Sequence, residues 1–293
     1  MKRIRIVGLC LVAAFAFSAM VASGSQAGTY KWCVAMKKGN YTESGCKTVA
    51  EKKGKPDHKG SFELKSVEAC VAQKKGEYTE SACKTKSAKA HKGTFELTTG
   101  RKSTSVGGSA TLKTPAFGPN NVTCSASSTT GEITGPKTNV ERSTFTGCEF
   151  SGLPCESAGP NSTPSGKAGT IITNLLHTKL VDHGEKAGGY KGQEPAEGEA
   201  WNEFTSAEHE PFSSEFNCSG VVFLRTVGSL SGVVSPVNTI SKTSTTSFAE
   251  GTGEQALLTE VLTESGWVPP GGAPSFEITE ATNSTEAAIE VAT

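Results

Sequence analysis

The sequence predicts an all-β protein: a disulfide-stabilised sandwich or barrel with one short helix, preceded by two small hairpin repeats rich in cysteine and lysine. Three observations support this prediction. Short runs rich in threonine, valine and phenylalanine alternate with glycine, proline, asparagine and serine over most of the chain. The 293 residues include nine cysteines, and a segment of sixteen residues occurs twice. Many short strands separated by turn residues are typical of sandwiches and barrels.

Residues 1–27 have the pattern of a secretory signal peptide. Lys2, Arg3 and Arg5 precede an uncharged apolar run, and the small residues Ser25 and Ala27 suit a cleavage site. An uncleaved membrane anchor is the alternative interpretation of the same run. We therefore expect an exported protein, secreted or in the cell envelope, with no membrane attachment after cleavage.

Cleavage would remove Cys10 and leave eight cysteines in the mature chain. An even number of cysteines in an exported chain predicts a complete set of disulfides. The closest two, Cys148 and Cys155, are further apart than the ligand pairs of structural zinc sites, so we expect no metal. The eight disulfide candidates are Cys33, Cys46, Cys70, Cys83, Cys124, Cys148, Cys155 and Cys218.

The repeated segment occupies residues 33–48 and 70–85, and its two copies differ at three of sixteen positions. Similar tails, His-Lys-Gly-Ser-Phe-Glu-Leu and His-Lys-Gly-Thr-Phe-Glu-Leu, close the two copies at residues 58–64 and 91–97. A clear duplication indicates one structural unit used twice. The matching spacings predict two hairpins, one stapled by Cys33–Cys46 and the other by Cys70–Cys83.

Charge divides the mature chain into two halves of opposite sign. Residues 28–113 carry 18 lysines and arginines against 8 acidic residues, a net charge of +10. Residues 114–293 carry 8 against 21, a net charge of −13. One interpretation is ordinary solubility, with the halves attracting each other. The other is a basic arm that binds an anionic cell-wall polymer or an envelope protein, with no nucleic acid expected. The residues proposed to bind are Lys37, Lys38, Tyr41, Lys74, Lys75 and Tyr78.

The domain boundaries follow from composition. Residues 28–97 hold the two basic repeats, which are poor in large aliphatic side chains and depend on disulfides. Residues 98–109 are small and polar, as expected of a linker. Residues 110–293 are long enough for one acidic, β-rich domain.

Strands are predicted wherever β-branched and aromatic residues cluster between turn signals. They fall at residues 110–113, 121–127, 132–134, 138–150, 171–180, 221–227, 232–234, 243–248, 276–279 and 288–291. Residues 254–265 have Leu257, Leu258, Val261 and Leu262 at helical spacing after a capping sequence. They therefore predict the one short helix.

The segment at residues 131–150 predicts a hairpin, because Gly135 and Pro136 interrupt two β-branched runs. A turn at residues 151–154 would bring Cys148 and Cys155 together, which leaves Cys124 to pair with Cys218.

The short motifs Ile-Thr-Gly-Pro-Lys-Thr, Phe-Thr-Gly-Cys-Glu, Leu-Pro-Cys and Phe-Asn-Cys-Ser-Gly occur in this order. Their combination resembles a family of uncharacterised secreted proteins of soil actinobacteria. The resemblance covers residues 109–293. It implies a β-rich, exported protein and carries no catalytic residues.

No motif for catalysis or for a cofactor was found in the sequence. His177 and His183 are six residues apart, which fits the ligand spacing of neither a strand face nor a helix. The leading hypothesis is therefore a non-enzymatic envelope or secreted protein that uses its lysine-rich repeats. The alternative is a secreted carbohydrate-active enzyme with paired carboxylates in the acidic domain.

Overall fold

The computed structural model describes residues 29–43, 46–52, 55–56, 59–66, 70–76, 79, 87–89, 92–97, 101–113, 120–189, 192–207, 212–248, 255–268 and 276–293. The expected signal peptide, residues 1–27, lies outside the described residues. The described residues form 23 strands, numbered here in chain order. They are β1 Thr29–Gly39, β2 Glu51–Lys52, β3 Lys55–Pro56, β4 Gly60–Ser66, β5 Cys70–Gly76, β6 Gly93–Leu97, β7 Arg101–Gly107, β8 Ala110–Lys113, β9 Val122–Cys124, β10 Ala126–Ile133, β11 Thr138–Thr146, β12 Glu149–Phe150, β13 Leu153–Ser157, β14 Thr170–Ile172, β15 Leu176–Asp182, β16 Ala200–Ser206, β17 Phe212–Cys218, β18 Val222–Val227, β19 Leu230–Ser235, β20 Ile240–Phe248, β21 Leu258–Thr263, β22 Gly266–Val268 and β23 Phe276–Ala292.

Eight of these strands pair into a closed ring. Each strand is antiparallel to the next in the order β7, β10, β11, β15, β16, β19, β20 and β23, and β23 pairs back with β7. Closure leaves no free edge in the ring, because every strand has a partner on both sides. Of the two predicted arrangements, sandwich and barrel, the pairing of these eight strands corresponds to the barrel.

A second ribbon of strands continues from the beginning of β23, at Phe276–Ile278. It runs in the order β8, β9, β12, β13, β17, β18, β21 and β22, and all of its pairs are antiparallel. A core cluster that includes Val122, Phe150, Phe216 and Leu224 lies on this ribbon. The chain crosses from ring to ribbon four times, since β8–β9, β12–β13, β17–β18 and β21–β22 each lie between ring strands in sequence.

The first repeat joins the ring directly. Strand β1 pairs with the end of β23 on one side, from Thr29↔Ala292 to Trp32↔Ile289, and with β4 on the other. Within the repeats, β1 pairs with β4 through Cys33↔Leu64 and Ala35↔Phe62. Strands β5 and β6 pair in the equivalent register in a separate sheet, through Cys70↔Leu97 and Ala72↔Phe95.

Two aromatic residues explain why the first repeat is attached to the ring. Tyr30 and Trp32 are buried in a core cluster with Ile133, Leu180 and Val234. When the copies are aligned on Cys33 and Cys70, the second copy has Val67 and Ala69 at the places of these aromatics. Large aromatic side chains contribute most of the burial energy at such contacts.

The predicted short helix is wrong. The described residues contain no helix, and Leu258–Thr263, in the middle of the predicted segment, is strand β21. Strand β21 pairs with β18 on one side and β22 on the other, so tertiary pairing overrides the local helical spacing. In the same described part of the chain, no helix has the length and apolar character needed to cross a lipid bilayer.

Most predicted strands of the acidic region are present. Strand β8 has the expected bounds, and the hairpin of β10 and β11 turns at residues 134–137 as predicted from Gly135 and Pro136. Residues 101–107, which the sequence analysis assigned to the linker, form strand β7 between β10 and β23.

Three disulfides are present among the described residues, as is typical of extracellular proteins. Cys33–Cys46 confirms the predicted pairing within the first repeat, with Cα atoms 5.6 Å apart. Cys83 lies outside the described residues, so its pairing with Cys70 stays a prediction.

The other two predicted pairs are wrong. The structure has Cys124–Cys148 and Cys155–Cys218, with Cα separations of 4.0 and 3.9 Å. The register of β9, β12, β13 and β17 places these four cysteines in one row across neighbouring strands. The ends of such a row are three strand spacings apart, about 14 Å. If the middle two cysteines paired, the outer two could not reach each other.

The anchoring role of Trp32 can be tested by substitution. Trp32 is 1% exposed, and Trp32→Ala is expected to lower the free energy of unfolding by about 3–5 kcal/mol because it leaves a large cavity. Val106→Ala is the control, since Val106 is 69% exposed on β7, and its effect is expected to stay within about 0.5 kcal/mol. Urea unfolding followed by fluorescence and circular dichroism would measure both, and equal effects of the two changes would contradict the assignment.

Candidate functional site

The inside of the ring is a cavity rather than a filled core. Every second residue of β11 from Asn139 to Phe145 lines it, namely Asn139, Glu141, Ser143 and Phe145. Other ring strands contribute alternate residues in the same way, as expected when one face of each strand points inward. On β20 these residues are Ser244, Thr246 and Phe248.

The cavity has a volume of about 160 Å³. A single buried water needs only about 10–15 Å³, and an engineered protein cavity of about 150 Å³ is known to bind benzene. Eight-stranded barrels have an interior that is either filled by side chains or holds one small ligand. The ring therefore has space for a small organic molecule.

Many of the side chains that face the cavity are short and polar. Ser103 and Ser105 come from β7, and Thr129 and Ser143 come from the hairpin of β10 and β11. Thr129 and Ser143 form a hydrogen bond of 2.8 Å to each other. Short hydroxyl side chains at these positions leave the interior open, whereas large aliphatic residues would fill it.

A carboxylate lies in this interior. Glu141 is half-buried, and it lines the cavity. Its Oε2 accepts a hydrogen bond of 2.7 Å from Asn139 Nδ2. Burial raises the pKa of Glu141 to about 7, and the hydrogen bond from Asn139 offsets only part of this rise. Near neutral pH, Glu141 is therefore present in both protonation states.

Tyr30 of the first repeat completes the polar part of the wall. Its hydroxyl donates a hydrogen bond of 2.8 Å to Asn202 Oδ1 on β16. Burial, and to a smaller extent the charge of Glu141, raises the pKa of Tyr30 above its usual range, so the phenol stays protonated. Since this proton is directed to Asn202, it does not neutralise Glu141.

An apolar wall is formed by aromatic side chains. Phe204 on β16 and Phe248 on β20 pack with ring centroids 5.3 Å apart, and both line the cavity with Phe145. Phe145 is four residues from Glu141 on the same face of β11, a distance of roughly 13 Å along the strand. The cavity thus has distinct polar and apolar regions.

Gly232 on β19 is necessary for this apolar wall. A Cβ atom at Gly232 would lie 2.6 Å from Thr246 Cγ2 and 2.7 Å from the Phe248 ring. Both side chains would have to move to make room for this Cβ atom, because real Cβ contacts this short are essentially never seen.

The residues of the predicted basic arm are only partly described. Lys37 and Lys38 lie near the end of β1, and Lys38 is exposed. Tyr41 is half-buried and bridges to Val49 and Phe62. Lys74 and Lys75 lie in β5, whereas Tyr78 is outside the described residues. The grouping of these six residues in one binding surface therefore stays a prediction.

Tyr41 lies close to acidic groups of both halves of the chain. Burial, and then the charges of Glu290 and Glu63, raises its pKa. Lys31 and Glu290 form an ion pair of 4.0 Å. These contacts connect the basic first repeat to the acidic end of β23.

The acidic residues near His183 bind a lysine. Lys137 Nζ lies 3.3 Å from Asp182 Oδ1 and 2.9 Å from Glu185 Oε1. His183 Nδ1 lies 3.1 Å from the carbonyl oxygen of Pro195. Within the described ranges, no group of three or more histidine, cysteine or acidic side chains is arranged to hold a metal ion.

The residues that line the cavity are not recognisable from the sequence pattern alone. On β10 and β11 both faces are largely polar, so the usual alternation of apolar and polar residues is absent. A partial signal does exist, since Asn139, Glu141 and Ser143 occupy every second position before Phe145. The same alternation of polar residues is typical of a solvent-exposed strand. Only the pairing that closes the ring shows that this face of β11 points inward.

The raised pKa of Glu141 predicts a pH-dependent stability. Its ordinary value of 4.5 rises to about 7 in the folded chain, so folding binds a proton between these values and stability falls as pH rises across them. The full cost above pH 7 is about 3 kcal/mol. Glu141→Gln is expected to remove this cost, unfolding at higher urea concentration than the wild type at pH 8 and at a similar concentration at pH 4.

The control for this measurement is Glu132→Gln on the neighbouring strand β10. Glu132 is exposed, so its replacement should leave the pH dependence of unfolding unchanged. If wild type and Glu141→Gln lose stability in parallel between pH 5 and pH 8, Glu141 is not the group responsible.

The chain matches no protein-family model, no curated protein and no solved structure. The resemblance to secreted actinobacterial proteins stays a prediction based on short motifs. The case for a function therefore rests on the geometry of the ring and on the chemistry of its interior.

Proposed function

We propose that this chain is an exported, non-enzymatic protein that holds a small organic ligand inside its ring of eight strands. The observation that carries the proposal is the cavity of about 160 Å³ between the polar group around Glu141 and the aromatic group around Phe248. Ligand sites in proteins are concave, with a mainly apolar lining and few well-placed polar groups. The ring interior has both features.

The position of the cavity between buried clusters supports this proposal. Tyr30, Ile133 and Val234 belong to one cluster, and Ile171 and Phe216 belong to another, yet all five line the cavity. A preformed space enclosed by rigid strands binds a ligand without the cost of ordering loops. The two disulfides of the ribbon lie in the second cluster and limit its movement.

The alternative of a carbohydrate-active enzyme has less support at this site. Hydrolysis of a glycosidic bond usually needs two carboxyl groups about 5 to 10 Å apart. Among the described residues that line the cavity, Glu141 is the single carboxylate. One carboxylate beside amides and hydroxyls is better suited to binding than to a two-carboxylate reaction.

Binding inside the ring can be tested with four single-ring probes: toluene, benzyl alcohol, benzylamine and phenylacetate. Ser127→Trp places a large side chain in the cavity, whereas Ser128→Trp places it on the exposed outer face of the same strand. We expect wild type and Ser128→Trp to bind at least one probe, and Ser127→Trp to bind it at least about tenfold more weakly. Calorimetry and ligand-observed NMR would measure the affinities.

A second pair of variants provides the same comparison if Ser127→Trp does not fold. Ser103→Trp fills the cavity from β7, and Thr104→Trp is its exposed neighbour. Circular dichroism and thermal unfolding establish which variants are folded. The proposal is overturned if the wild type binds none of the four probes, or if folded inward variants bind as well as their outward partners.

We propose in addition that the lysine-rich repeats bind an anionic cell-wall polymer or envelope partner. The opposite charges of the two halves, +10 and −13, support this second function. Exposed lysines occur in the described part of both repeats, including Lys38, Lys47, Lys89 and Lys92. The repeated register of β1 with β4 and of β5 with β6 would present the two copies in similar form.

This second function predicts salt-sensitive binding to a soluble polyanion such as dextran sulfate. Lys37→Gln/Lys38→Gln should weaken binding at low salt, and the effect should decrease as salt screens the charges. Lys167→Gln/Lys186→Gln is the matched control, since it removes the same charge from exposed positions of the acidic region. Equal weakening by both double variants would show that net charge, rather than the repeats, determines binding.

A further inference from the structure

We propose that the ligand of the ring cavity is a small organic amine, bound as its ammonium ion by Glu141 and Asn139 with its apolar body against the phenylalanine wall. This inference rests on the proposed function of ligand binding and specifies the chemical class of the ligand. It follows from the acceptors that face the cavity, from the charges around them and from the space beside them.

Asn139 and Glu141 present hydrogen-bond acceptors to the cavity that receive no donor from the described residues. Asn139 is 7% exposed, and its Nδ2 donates to Glu141, while its Oδ1 has no hydrogen-bond partner among the described residues. A buried polar atom without a partner costs free energy, so such atoms in native proteins point to a missing group. Glu141 supplies further acceptor positions, because a carboxylate has about four and the amide of Asn139 occupies one.

Neighbouring protein groups do not supply the missing donors. Tyr30 directs its hydroxyl to Asn202 Oδ1, and Asn202 directs its amide to Thr246 Oγ1 at 3.5 Å. Among the described residues that line the cavity, none is a lysine, arginine or histidine. A buried carboxylate of this kind is stabilised by a cation more than by any neutral partner.

An ammonium ion matches these requirements. It has three N–H donors and one positive charge. Hydrogen bonds between ionised groups are about twice as strong as those between neutral groups. A carboxylate ligand would instead meet Glu141 as a like charge, and a ligand without a donor would leave Asn139 Oδ1 unpaired.

Gly131 keeps the backbone of β10 close to both acceptors. Gly131 on β10 is the register partner of Glu141 on β11. A Cβ atom at Gly131 would lie 2.6 Å from Glu141 Cβ and 3.2 Å from Asn139 Oδ1. Any side chain at Gly131 would therefore collide with Glu141, so glycine allows β10 and β11 to approach closely beside these acceptors.

The apolar body of the ligand is positioned by the aromatic wall. Phe204 and Phe248 line the same cavity as Glu141. A ligand with an amine at one end and a ring or short alkyl chain at the other therefore fits the two regions. Benzylamine is the smallest probe with both parts, and benzyl alcohol is its neutral counterpart.

The test compares these two probes on the full chain at pH 8. Wild type is expected to bind benzylamine at least about tenfold more tightly than benzyl alcohol, and phenylacetate more weakly than either. In Glu141→Gln the ratio of benzylamine to benzyl alcohol affinity is expected to fall to about one, because benzylamine loses its ionic partner. Glu132→Gln, which changes an exposed carboxylate on β10, should keep the wild-type ratio.

A second measurement needs no substitution. At pH 5 the Glu141 carboxyl is mostly protonated, so the preference of wild type for benzylamine should fall by about tenfold relative to pH 8. Both probes keep their own charge state over this range. The affinity ratio therefore reports the protein group alone.

The outcomes separate the two proposals. If wild type binds benzylamine and benzyl alcohol equally at pH 8, the amine inference is overturned while ligand binding in the ring stands. The same conclusion follows if the preference persists in Glu141→Gln or at pH 5. If none of the four probes binds, the proposed function fails, and the inference fails with it.

Discussion

Closure of the ring through strand β23 is the constraint on which the other features depend. One edge of β23 pairs with β20, and the other edge pairs in turn with β8, β7 and β1. A single long strand therefore completes the ring, begins the ribbon and holds the first repeat. Without its backbone hydrogen bonds, β7 and β20 would be free edges and the interior would open to solvent. Both the cavity and the raised pKa of Glu141 follow from this closure.

The polar interior has a cost that the rest of the structure must offset. Serines and threonines inside the ring bury little apolar surface, so the ring itself gains less from the hydrophobic effect than a filled barrel would. Stabilisation comes instead from two clusters, one around Trp32 and Leu180 and the other around Phe216 and the paired cysteines. This division resembles other binding proteins, in which rigid surroundings maintain a site that is not itself optimal for stability.

The sequence predicts the strand content well and the topology poorly, for physical reasons. The hairpin at Gly135 and Pro136 depends on local turn chemistry, which is readable in a single sequence. Ring closure depends on pairing between residues 103–107 and 281–285, and nothing in the polar segment at 101–107 indicates a strand. The two disulfide pairs predicted among Cys124, Cys148, Cys155 and Cys218 are wrong for a related reason. Proximity along the chain suggested Cys148 with Cys155, and only the register reveals the row of four. Leu257, Leu258, Val261 and Leu262 show the same limit, because helical spacing in a short apolar run also fits a strand with neighbours on both edges.

The pairing of Thr29 with Ala292 has a consequence for the order of assembly. The local hairpins, such as β10 with β11, can form as soon as their residues have been synthesised. The ring cannot close until residues 281–285 are available to pair with β7, and β1 likewise pairs with residues 289–292 of the same strand. Contacts this distant in sequence form slowly. The interior around Glu141 is therefore expected to form only after the local hairpins are in place.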